Sequence, residues 1–577
     1  MEQQTTHHAL PSVERPWLKY YTEQQIAEPL PTGSLYELLI ENNSNHPDDI
    51  AIHYLGKNIT YGEMINRIEQ CAKAFTAIGV GRGDIVTVAM PNTPEMVYAS
   101  YALNRIGAII NIIHPLAGEE ETCRYINEVE SRIVLMFTGT YAFMKNTLHK
   151  TTALTAIVAS PAQSLSPVAR AIYNLKNIRH RIPSGGDTLT WQQFIASGND
   201  TPLPAPCRAP GDHAVITHTG GTTGTAKGVV CTNLNFASLG QQMLSGRESR
   251  RQDGTMILLP PFINYSYTTL FDAFTHGHRT LLIPRYNPMQ MAHYIHKYRI
   301  AYLLTIPAYL KAMLKIKHIH PQAFASLKTI VSGGEPLDEQ TENAINRQLT
   351  THGSTVKLEK GTGMTELTSG AANTYPACNI RGSVGIPYVK TNCKIVSTDD
   401  GHELPSGQEG EVCFSGTTVM WGYYGNPEAT AKIIETDSQG TRWLHTGDIG
   451  YMNTDGVIFL TGRMKRLIMQ KDAGGLVSKI SPERIEHAIS RHPAVATCCV
   501  VGIPDTARIA RPVAVVELIK NQTPSPHLKE EIINTCTATL PPYMVPTEIN
   551  IIPTMPRTDR GKIDYRAVEG MSVECRV

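Results

Sequence analysis

After residue 60, the pattern of apolar and polar residues divides the chain into alternating strands and helices. Short apolar runs at residues 85–90 and 108–113 predict buried strands. Residues 61–78 and 93–106 carry apolar residues at helical spacing, and Gly79 follows the first of these segments as a helix stop. Because strand and helix alternate, we predict a parallel sheet with helices on both faces.

The other segments before residue 211 are polar or short. Residues 1–30 are polar and predict a loosely attached N-terminal extension. A helix is predicted over residues 34–43, and a hairpin over residues 52–60 with residues 56–58 at its turn. Residues 184–210 are rich in Pro, Gly, Ser and Asp, which predicts a surface connection.

After residue 255 the alternation of strands and helices resumes, and the pattern then changes at residue 384 and again at residue 463. Four further strands are predicted at residues 256–259, 280–283, 302–305 and 329–332. Residues 384–425 alternate short strands with turns and predict a smaller β-rich unit. After residue 463 the pattern is that of a compact α+β module, with helices at residues 482–490 and 527–539 and strands at residues 497–501 and 513–518.

The predicted fold class is therefore α/β, with more than one domain. A chain of 577 residues is too long for a single hydrophobic core. From the change of pattern at residue 463 we predict a large α/β N-terminal domain of several subdomains over residues 31–462 and a small α+β C-terminal domain over residues 463–577.

Composition narrows the classes of partner and compartment. Lys and Arg number 52 against 51 Asp and Glu, so nucleic acid or an anionic membrane surface is not expected as a partner. No apolar run has the length of a transmembrane segment, and the first ten residues lack the pattern of a secretory signal. The 11 cysteines form no CxxC pair, which favours a reducing cytoplasm, and the histidines show no metal-ligand spacing such as HExxH.

One loop carries the strongest chemical signal. Residues 217–230 read THTGGTTGTAKGVV and follow a predicted buried strand at residues 214–216. Glycines let backbone N–H groups approach an anion, while threonine hydroxyls and a lysine add donors and charge. The alternative is a mobile surface loop, and the Walker pattern is absent because Ala226 precedes the lysine. The candidate phosphate-contacting residues are Thr219, Gly220, Gly221, Thr222, Thr223, Gly224 and Lys227.

This loop resembles the phosphate loop of the adenylate-forming superfamily, the acyl- and aryl-CoA synthetases, luciferases and peptide-synthetase adenylation domains. Their pattern is Thr-Ser/Gly-Gly-Thr-Thr-Gly-x-Pro-Lys-Gly, and Ala226 stands where proline is usual. The resemblance covers residues 34–568, with its motifs in the family's order. It is closest in character to the fatty-acid–CoA ligases, and it implies ATP, Mg²⁺ and CoA as cofactors.

The segment GTGMTE, residues 361–366, resembles the family's second motif. By that resemblance Glu366 holds Mg²⁺, which prefers oxygen ligands, and Thr365 lies against the α-phosphate. Thr362 replaces the aromatic residue that stacks on adenine. Taken alone, the segment favours a Thr-Glu pair that caps a helix after a Gly turn, and its position downstream of the phosphate loop favours the metal role.

Two further segments resemble the lining of the family's adenine and acyl pockets. Residues 332–337, SGGEPL, match a segment that contacts both pockets, although without the other motifs they would indicate a plain β-turn. In residues 260–265, PPFINY, an apolar residue takes the place of a histidine gate, which favours an aliphatic acid. The residues assigned by this resemblance are Gly333, Gly334, Glu335, Pro336, Ile263 and Asn264.

The last motifs surround the predicted domain boundary. Residues 443–448, WLHTGD, place Asp448 where the family binds the ribose hydroxyls, and Arg463 matches its partner on ribose or phosphate. The alternative is a surface turn with an ion pair. Lys465 matches the hinge of the C-terminal domain. Residues 469–481 form a loop longer than usual in the family, where that loop lines the CoA channel.

The resemblance implies an AMP-forming acid–thiol ligase. Lys562, in the segment PRTDRGK, matches the lysine that enters the active site for the first half-reaction, and it would act with Lys227 and Thr365. The acid is expected to be a fatty or similarly hydrophobic carboxylic acid, and the thiol that of CoA. Two alternatives remain: a stand-alone adenylating enzyme that loads a separate carrier protein, and a non-catalytic nucleotide-binding relative, which the Thr362 position suggests.

Overall fold

The computed structural model describes residues 10–176, 187–207, 209–219, 226–471, 477–505, 509–520, 522–557 and 563–574. In this part of the chain no helix is both long and apolar enough to cross a membrane. The helices are α1 Pro11–Glu14, α2 Glu23–Ala27, α3 Leu35–Asn43, α4 Tyr61–Ala77, α5 Pro94–Arg105, α6 Glu119–Glu128, α7 Tyr141–Leu148, α8 Pro167–Lys176, α9 Trp191–Ser197, α10 Asn233–Leu244, α11 Asn264–Thr275, α12 Met291–Lys297, α13 Pro307–Met313, α14 Glu339–Thr351, α15 Pro427–Ala431, α16 Pro482–Ile489, α17 Pro526–Thr537 and α18 Tyr565–Glu574.

The strands of the large domain form three sheets. They are β1 Ile50–Tyr54, β2 Lys57–Thr60, β3 Ile85–Ala89, β4 Ile109–Ile112, β5 Ile133–Phe137, β6 Thr155–Ala159, β7 Thr188–Thr190, β8 His213–His218, β9 Gly228–Thr232, β10 Gly254–Ile257, β11 Arg279–Leu282, β12 Ile300–Thr305, β13 Thr329–Ser332, β14 Glu359–Thr362, β15 Ala372–Asn373, β16 Ile386–Pro387, β17 Thr391–Val396, β18 Gly410–Gly416, β19 Gly422–Tyr423, β20 Ile434–Thr436, β21 Arg442–Met452 and β22 Ile458–Arg463.

The first sheet confirms the predicted parallel arrangement. Its eight strands run in the order β19-β9-β8-β4-β3-β5-β6-β7, and β3 pairs in parallel with both β4 and β5. Helix α4 begins where the Thr60 side chain accepts from the backbone N–H of Glu63, a cap that satisfies one of the helix's free donors. Residues at helical spacing then bury one face of α4, which explains why the periodic pattern was readable in the sequence.

The second sheet brings two candidate segments to one edge. Its nine strands run in the order β16-β15-β14-β13-β12-β10-β11-β1-β2. Strands β13 and β14 are parallel neighbours with Ser332 opposite Lys360. The segments at residues 333–336 and 363–366 therefore leave the sheet side by side, because each follows the carboxyl end of its strand.

The third sheet is the predicted β-rich unit, extended well beyond residue 425. Strands β17, β18, β21 and β20 are antiparallel neighbours, and β22 pairs with the far edge of β21. Between β18 and β21 the register shifts, with Glu411 opposite Ile449 and Cys413 opposite His445. One residue of β18 therefore faces three of β21, a bulge that contains Asp448.

The C-terminal domain is a separate α+β unit, as predicted. Its strands are β23 Ile468–Lys471, β24 Val477–Ile480, β25 Val495–Asp505, β26 Ile509–Leu518 and β27 Glu548–Ile552. They form a five-stranded sheet with its own apolar core. The unit contacts the large domain through the Ser481 hydroxyl, which donates to the Thr461 carbonyl at 2.5 Å, and through an ion pair between Lys479 and Asp399 at 2.7 Å.

Three sequence predictions on the fold are wrong. The described part of the N-terminal extension is not loosely attached, since Trp17 is fully buried and the Tyr21 hydroxyl donates to Pro387 O at 3.0 Å. Residues 184–210 contain β7 and α9 rather than only a connection, because Thr190 caps a helix that buries Trp191. The first hairpin turns before residue 57, where β2 already begins.

Candidate active site

Thr219 and Lys227 are the described residues on either side of the predicted phosphate loop, and they lie next to each other beside the paired strands β8 and β9. The Thr219 backbone N–H donates to Lys227 O at 3.0 Å, and the Lys227 backbone N–H donates to the Thr219 hydroxyl oxygen at 3.2 Å. A Cβ on Gly228 would lie only 3.1 Å from Ile216, so glycine permits the close approach of the two strands. The loop residues Gly220, Gly221, Thr222, Thr223 and Gly224 lie outside the described residues.

A tyrosine joins Lys227 to Glu366. Strand β19 pairs with β9 and places the Tyr423 ring 5.0 Å from the Lys227 ammonium, a cation–π contact. The Tyr423 hydroxyl donates to Glu366 Oε1 at 2.7 Å. Burial and the Glu366 charge raise the pKa of Tyr423, so the hydroxyl keeps its proton. Tyr423 therefore links a buried carboxylate, an oxygen ligand that suits a divalent cation, to a lysine that can offset anionic charge.

The Glu366 segment is fixed by its own turn. Residues Thr365–Leu367 form one 3₁₀ turn, and the Glu366 carbonyl accepts from the Met420 backbone N–H at 2.9 Å. The Asn264 amide donates to Thr365 O at 3.4 Å, which brings the start of α11 to this turn. The preceding Ile263 is 36% exposed. Glycine is required at residue 363, because a Cβ there would overlap the backbone of Ser369.

A narrow cleft connects Thr362 with Asp448. Besides these two, its lining includes Met364, Phe414 and Leu460, so its walls are largely apolar. A mostly apolar lining with a few polar groups is typical of small-molecule sites. Its lining residues are Thr362, Gly363, Met364, Leu367, Val412, Phe414, Thr446, Asp448 and Leu460.

Asp448 and Arg463 are brought together as a pair. They face each other across β21 and β22, with Arg463 Nε 2.7 Å from Asp448 Oδ1. The Asp448 side chain is largely buried and that of Arg463 is mostly exposed. The guanidinium therefore retains accessible donors beside a carboxylate that can accept from hydroxyls.

The turn before Asp448 is held by Glu411, a residue that the sequence did not single out. The Gly447 backbone N–H donates to Glu411 Oε1 at 2.8 Å, and Glu411 Oε2 lies 2.8 Å from His445 Nδ1. Hydrogen bonds with the Cys413 sulfur and the Glu411 carboxylate raise the pKa of His445 to about 11, so we expect its ring to be charged. Ligand atoms of Glu411, Cys413 and His445 lie within 4.8 Å of one another, although no metal-ligand spacing was visible in the sequence.

The candidate acyl segment lies against α11. A Cβ on Gly333 would lie 3.5 Å from the Tyr265 ring, and the Gly333 N–H donates to Thr305 O at 3.1 Å. Gly334 adopts φ +82°, which favours glycine. Glu335 is half-buried and Pro336 exposed. Behind Tyr265 lies a small apolar cluster, Leu239, Met243, Leu304, Val331 and Tyr388.

The predicted hinge lies between two anchored arginines. Lys465 is exposed within the 3₁₀ turn Met464–Arg466. Arg466 belongs to the C-terminal unit, where it contacts Glu483 at 2.7 Å and Glu486 at 2.6 Å and lies 3.9 Å from the Tyr565 ring centre. Lys562 lies outside the described residues, as do residues 472–476 between β23 and β24.

Comparison with known proteins agrees with the geometry. A family model described as AMP-binding enzyme matches residues 39–424, and one described as AMP-binding enzyme C-terminal domain matches residues 484–562. The chain is 28% identical over 558 residues to a probable 4-coumarate–CoA ligase 1 of Dictyostelium discoideum, covering 94% of this chain and 96% of the relative. It is 27% identical to a long-chain-fatty-acid–CoA ligase of Bacillus subtilis, with 95% and 97% covered.

Solved structures share the fold. ATP-bound MatB from Rhodopseudomonas palustris superposes with a TM-score of 0.80 at 20% identity, covering 94% of this chain and all of that protein. The anthranilate CoA ligase AuaEII in complex with anthranoyl-AMP gives a TM-score of 0.80 at 22% identity, with 95% and 99% covered. These matches, with the family models, confirm both the predicted fold class and the resemblance to adenylate-forming enzymes.

Proposed function

The chain belongs to the AMP-binding enzyme family, and from this premise we propose that it activates a carboxylic acid with ATP. The products of the first step would be acyl-AMP and pyrophosphate, and the second step would transfer the acyl group to CoA. The observation that carries the proposal is the Lys227–Tyr423–Glu366 assembly, in which Glu366 directly precedes Leu367 in the lining of the cleft that joins Thr362 to Asp448.

The chemistry explains why these groups are needed. A carboxylate is a poor acyl donor because oxide is a poor leaving group, whereas a mixed anhydride with AMP supplies a good one. Attack by the carboxylate on the α-phosphate brings two anions together, so cationic and hydrogen-bonding groups must offset that charge. We assign this role to Lys227, Thr365 and Lys562.

Glu366 fits the requirement for a Mg²⁺ ligand. Its carboxylate is a buried, hard oxygen donor, and Tyr423 orients it through one oxygen. When bound there, Mg²⁺ would offset phosphate charge. In the same proposal Asp448 and Arg463 bind the ribose, and residues 333–336 line the space between adenine and acyl group.

For the acid we propose a hydrophobic compound, a fatty acid or one of similar character. The exposed Ile263 and the apolar cluster behind Tyr265 support this class. Relatives named as acting on fatty acids and on 4-coumarate are both hydrophobic-acid ligases, which supports the class without selecting within it. The described cysteines are all free thiols, which supports a reducing cytoplasm as the setting.

Acid-dependent exchange of labelled pyrophosphate into ATP tests the first step. A panel of fatty, aromatic and short dicarboxylic acids should give exchange with at least one hydrophobic acid. Glu366→Gln should lose most exchange, and the control Glu409→Gln, an exposed residue, should not. Absence of exchange with every acid would indicate a nucleotide-binding protein without this activity.

A second experiment tests the acceptor, since the alternative is a carrier protein. Strands β23 and β24 pair antiparallel within the segment that is longer than usual in the family, and in the family this segment lines the CoA channel. Wild-type protein loaded with acyl-AMP should release AMP and form a thioester with CoA. Faster transfer to a pantetheinylated carrier protein than to CoA would reverse this assignment.

A further inference from the structure

Asp448 lies on a bulge whose shape depends on a side chain from the neighbouring strand. Three residues of β21, Thr446 to Asp448, bulge between the paired positions of β18. Gly447 adopts φ +71°, so the turn uses a backbone conformation that rarely suits other residues. An unbraced bulge of this kind would leave the direction of the Asp448 carboxylate poorly defined.

Two side-chain oxygens brace the turn from opposite ends. The Thr446 hydroxyl donates to Val412 O at 2.6 Å and accepts from the Asp448 backbone N–H at 3.0 Å. The Gly447 backbone N–H donates to Glu411 Oε1 at 2.8 Å. Glu411 is the only charged group in this brace, and hydrogen bonds to charged acceptors are the stronger class.

The second oxygen of Glu411 is itself held in place. It lies 2.8 Å from His445 Nδ1, while His445 Nε2 lies 3.3 Å from Glu435 Oε2. His445 immediately precedes the bulge, so the Glu411 carboxylate contacts both the residue before the bulge and Gly447 at its centre. The Glu411 side chain is only 10% exposed, which strengthens both contacts because little water competes.

We propose that Glu411 is a positioning residue for the ribose of ATP, acting through the Gly447 turn to aim the Asp448 carboxylate. This inference rests on the proposed function, in which Asp448 accepts from the ribose hydroxyls. Glu411 lies behind the turn and touches no substrate in this scheme. It determines how well the pocket distinguishes a nucleotide with ribose hydroxyls from one without them.

The test compares the binding of Mg·ATP and Mg·2′,3′-dideoxy-ATP, measured directly at equilibrium without the acid. We define the preference as the ratio of the two dissociation constants, dideoxy over ATP. Wild type should prefer ATP by about tenfold or more, the size of a charge-assisted hydrogen bond. Asp448→Ala and Glu411→Ala should both reduce the preference severalfold, because each weakens the ATP complex more than the dideoxy complex.

Two further variants separate positioning from general damage. Glu411→Gln keeps an acceptor for the Gly447 N–H but loses the charge facing His445, so its preference should lie between those of wild type and Glu411→Ala. Glu409→Ala, an exposed change two residues away, should retain the wild-type preference. Thermal unfolding identifies any variant that fails to fold, in which case Glu411→Gln alone decides.

The outcomes are distinguishable. If Glu411→Ala weakens both nucleotides equally while Asp448→Ala removes the preference, Glu411 is merely structural and the inference is overturned. If Asp448→Ala keeps the preference, the ribose assignment in the proposed function fails, and the inference fails with it. If purified wild type holds stoichiometric zinc that Cys413→Ser and His445→Gln both lose, the cluster is a metal site and the positioning role is overturned.

Discussion

Replacing Tyr423 by Phe tests whether the Tyr423 hydroxyl orients the Glu366 carboxylate for metal binding. The change deletes one oxygen and keeps the ring, so the 5.0 Å contact with Lys227 survives while the 2.7 Å hydrogen bond to Glu366 is lost. Groups that orient a metal ligand typically contribute 10- to 100-fold to metal affinity. We expect the low end of that range, about tenfold, because the 3₁₀ turn and the Met420 N–H still hold the Glu366 backbone.

The assay is pyrophosphate exchange across a series of free Mg²⁺ concentrations at saturating ATP and acid. Tyr423→Phe should need about ten times more Mg²⁺ for half-maximal exchange, which corresponds to about 1.4 kcal/mol. Exchange at saturating Mg²⁺ should recover, since the carboxylate is still present. Tyr424→Phe is the control, because this half-buried neighbour makes no side-chain hydrogen bond among the described residues.

Two results would refute this reasoning. If Tyr423→Phe has the Mg²⁺ dependence of the control, the hydroxyl does not prepare Glu366 for the metal. If exchange is lost and no concentration of Mg²⁺ restores it, Tyr423 acts on the reaction by another route. A fall in thermal stability alone, with unchanged Mg²⁺ dependence, would make the hydrogen bond purely structural.

Three other predictions follow from the same structure. Thr362→Tyr should tighten ATP binding by about 1 kcal/mol through stacking in the cleft, and unchanged binding in a direct titration would contradict a vacant stacking place. Lys562→Ala should abolish acyl-AMP formation yet convert supplied acyl-AMP to thioester, whereas Lys465→Pro, which restricts the hinge, should do the reverse; loss of the same half-reaction in both would refute the domain rotation. Burial lowers the pKa of His278 from 6.5 to about 4, so its stabilising contribution is complete above pH 6.5 and is lost as the pH falls toward 4, by up to about 3 kcal/mol. The stability of His278→Gln, measured by thermal unfolding between these pH values, should therefore depend less on pH than that of wild type. An equal dependence would exclude His278 as a source of the pH effect.

Much of the fold was readable because its elements are local. The predicted and observed bounds of the strand Thr329–Ser332 are the same, because a short buried strand is largely a continuous apolar run. Helix α9 was missed because only two of its residues, Trp191 and Phe194, are buried in a polar context. Trp17 was missed for a different reason, because burial of a single aromatic residue depends on distant partners that local pattern does not reveal.

The site was predictable only where motifs are contiguous. Thr365 and Glu366 are predicted from one short segment, and in the structure Tyr423 links Glu366 to Lys227. Tyr423 lies 57 residues from Glu366, so no short motif contains both residues. The role of Glu411 could not be predicted for the same reason, because His445 and Gly447 lie on another strand, and no sequence pattern predicts the register shift between the two strands.

The two arginines beside Lys465 have a consequence for the energetics of domain orientation. Arg463 is paired with Asp448 in the third sheet, and Arg466 is paired with Glu483 and Glu486 in the C-terminal unit, so rotation at Met464 and Lys465 need break neither set of ion pairs. The free-energy difference between orientations then depends on small contacts such as that of Ser481 with Thr461, each contributing about 1 kcal/mol. Occupancy of the active site by one substrate or another can outweigh such contacts, so the populations of orientations should follow the reaction's progress.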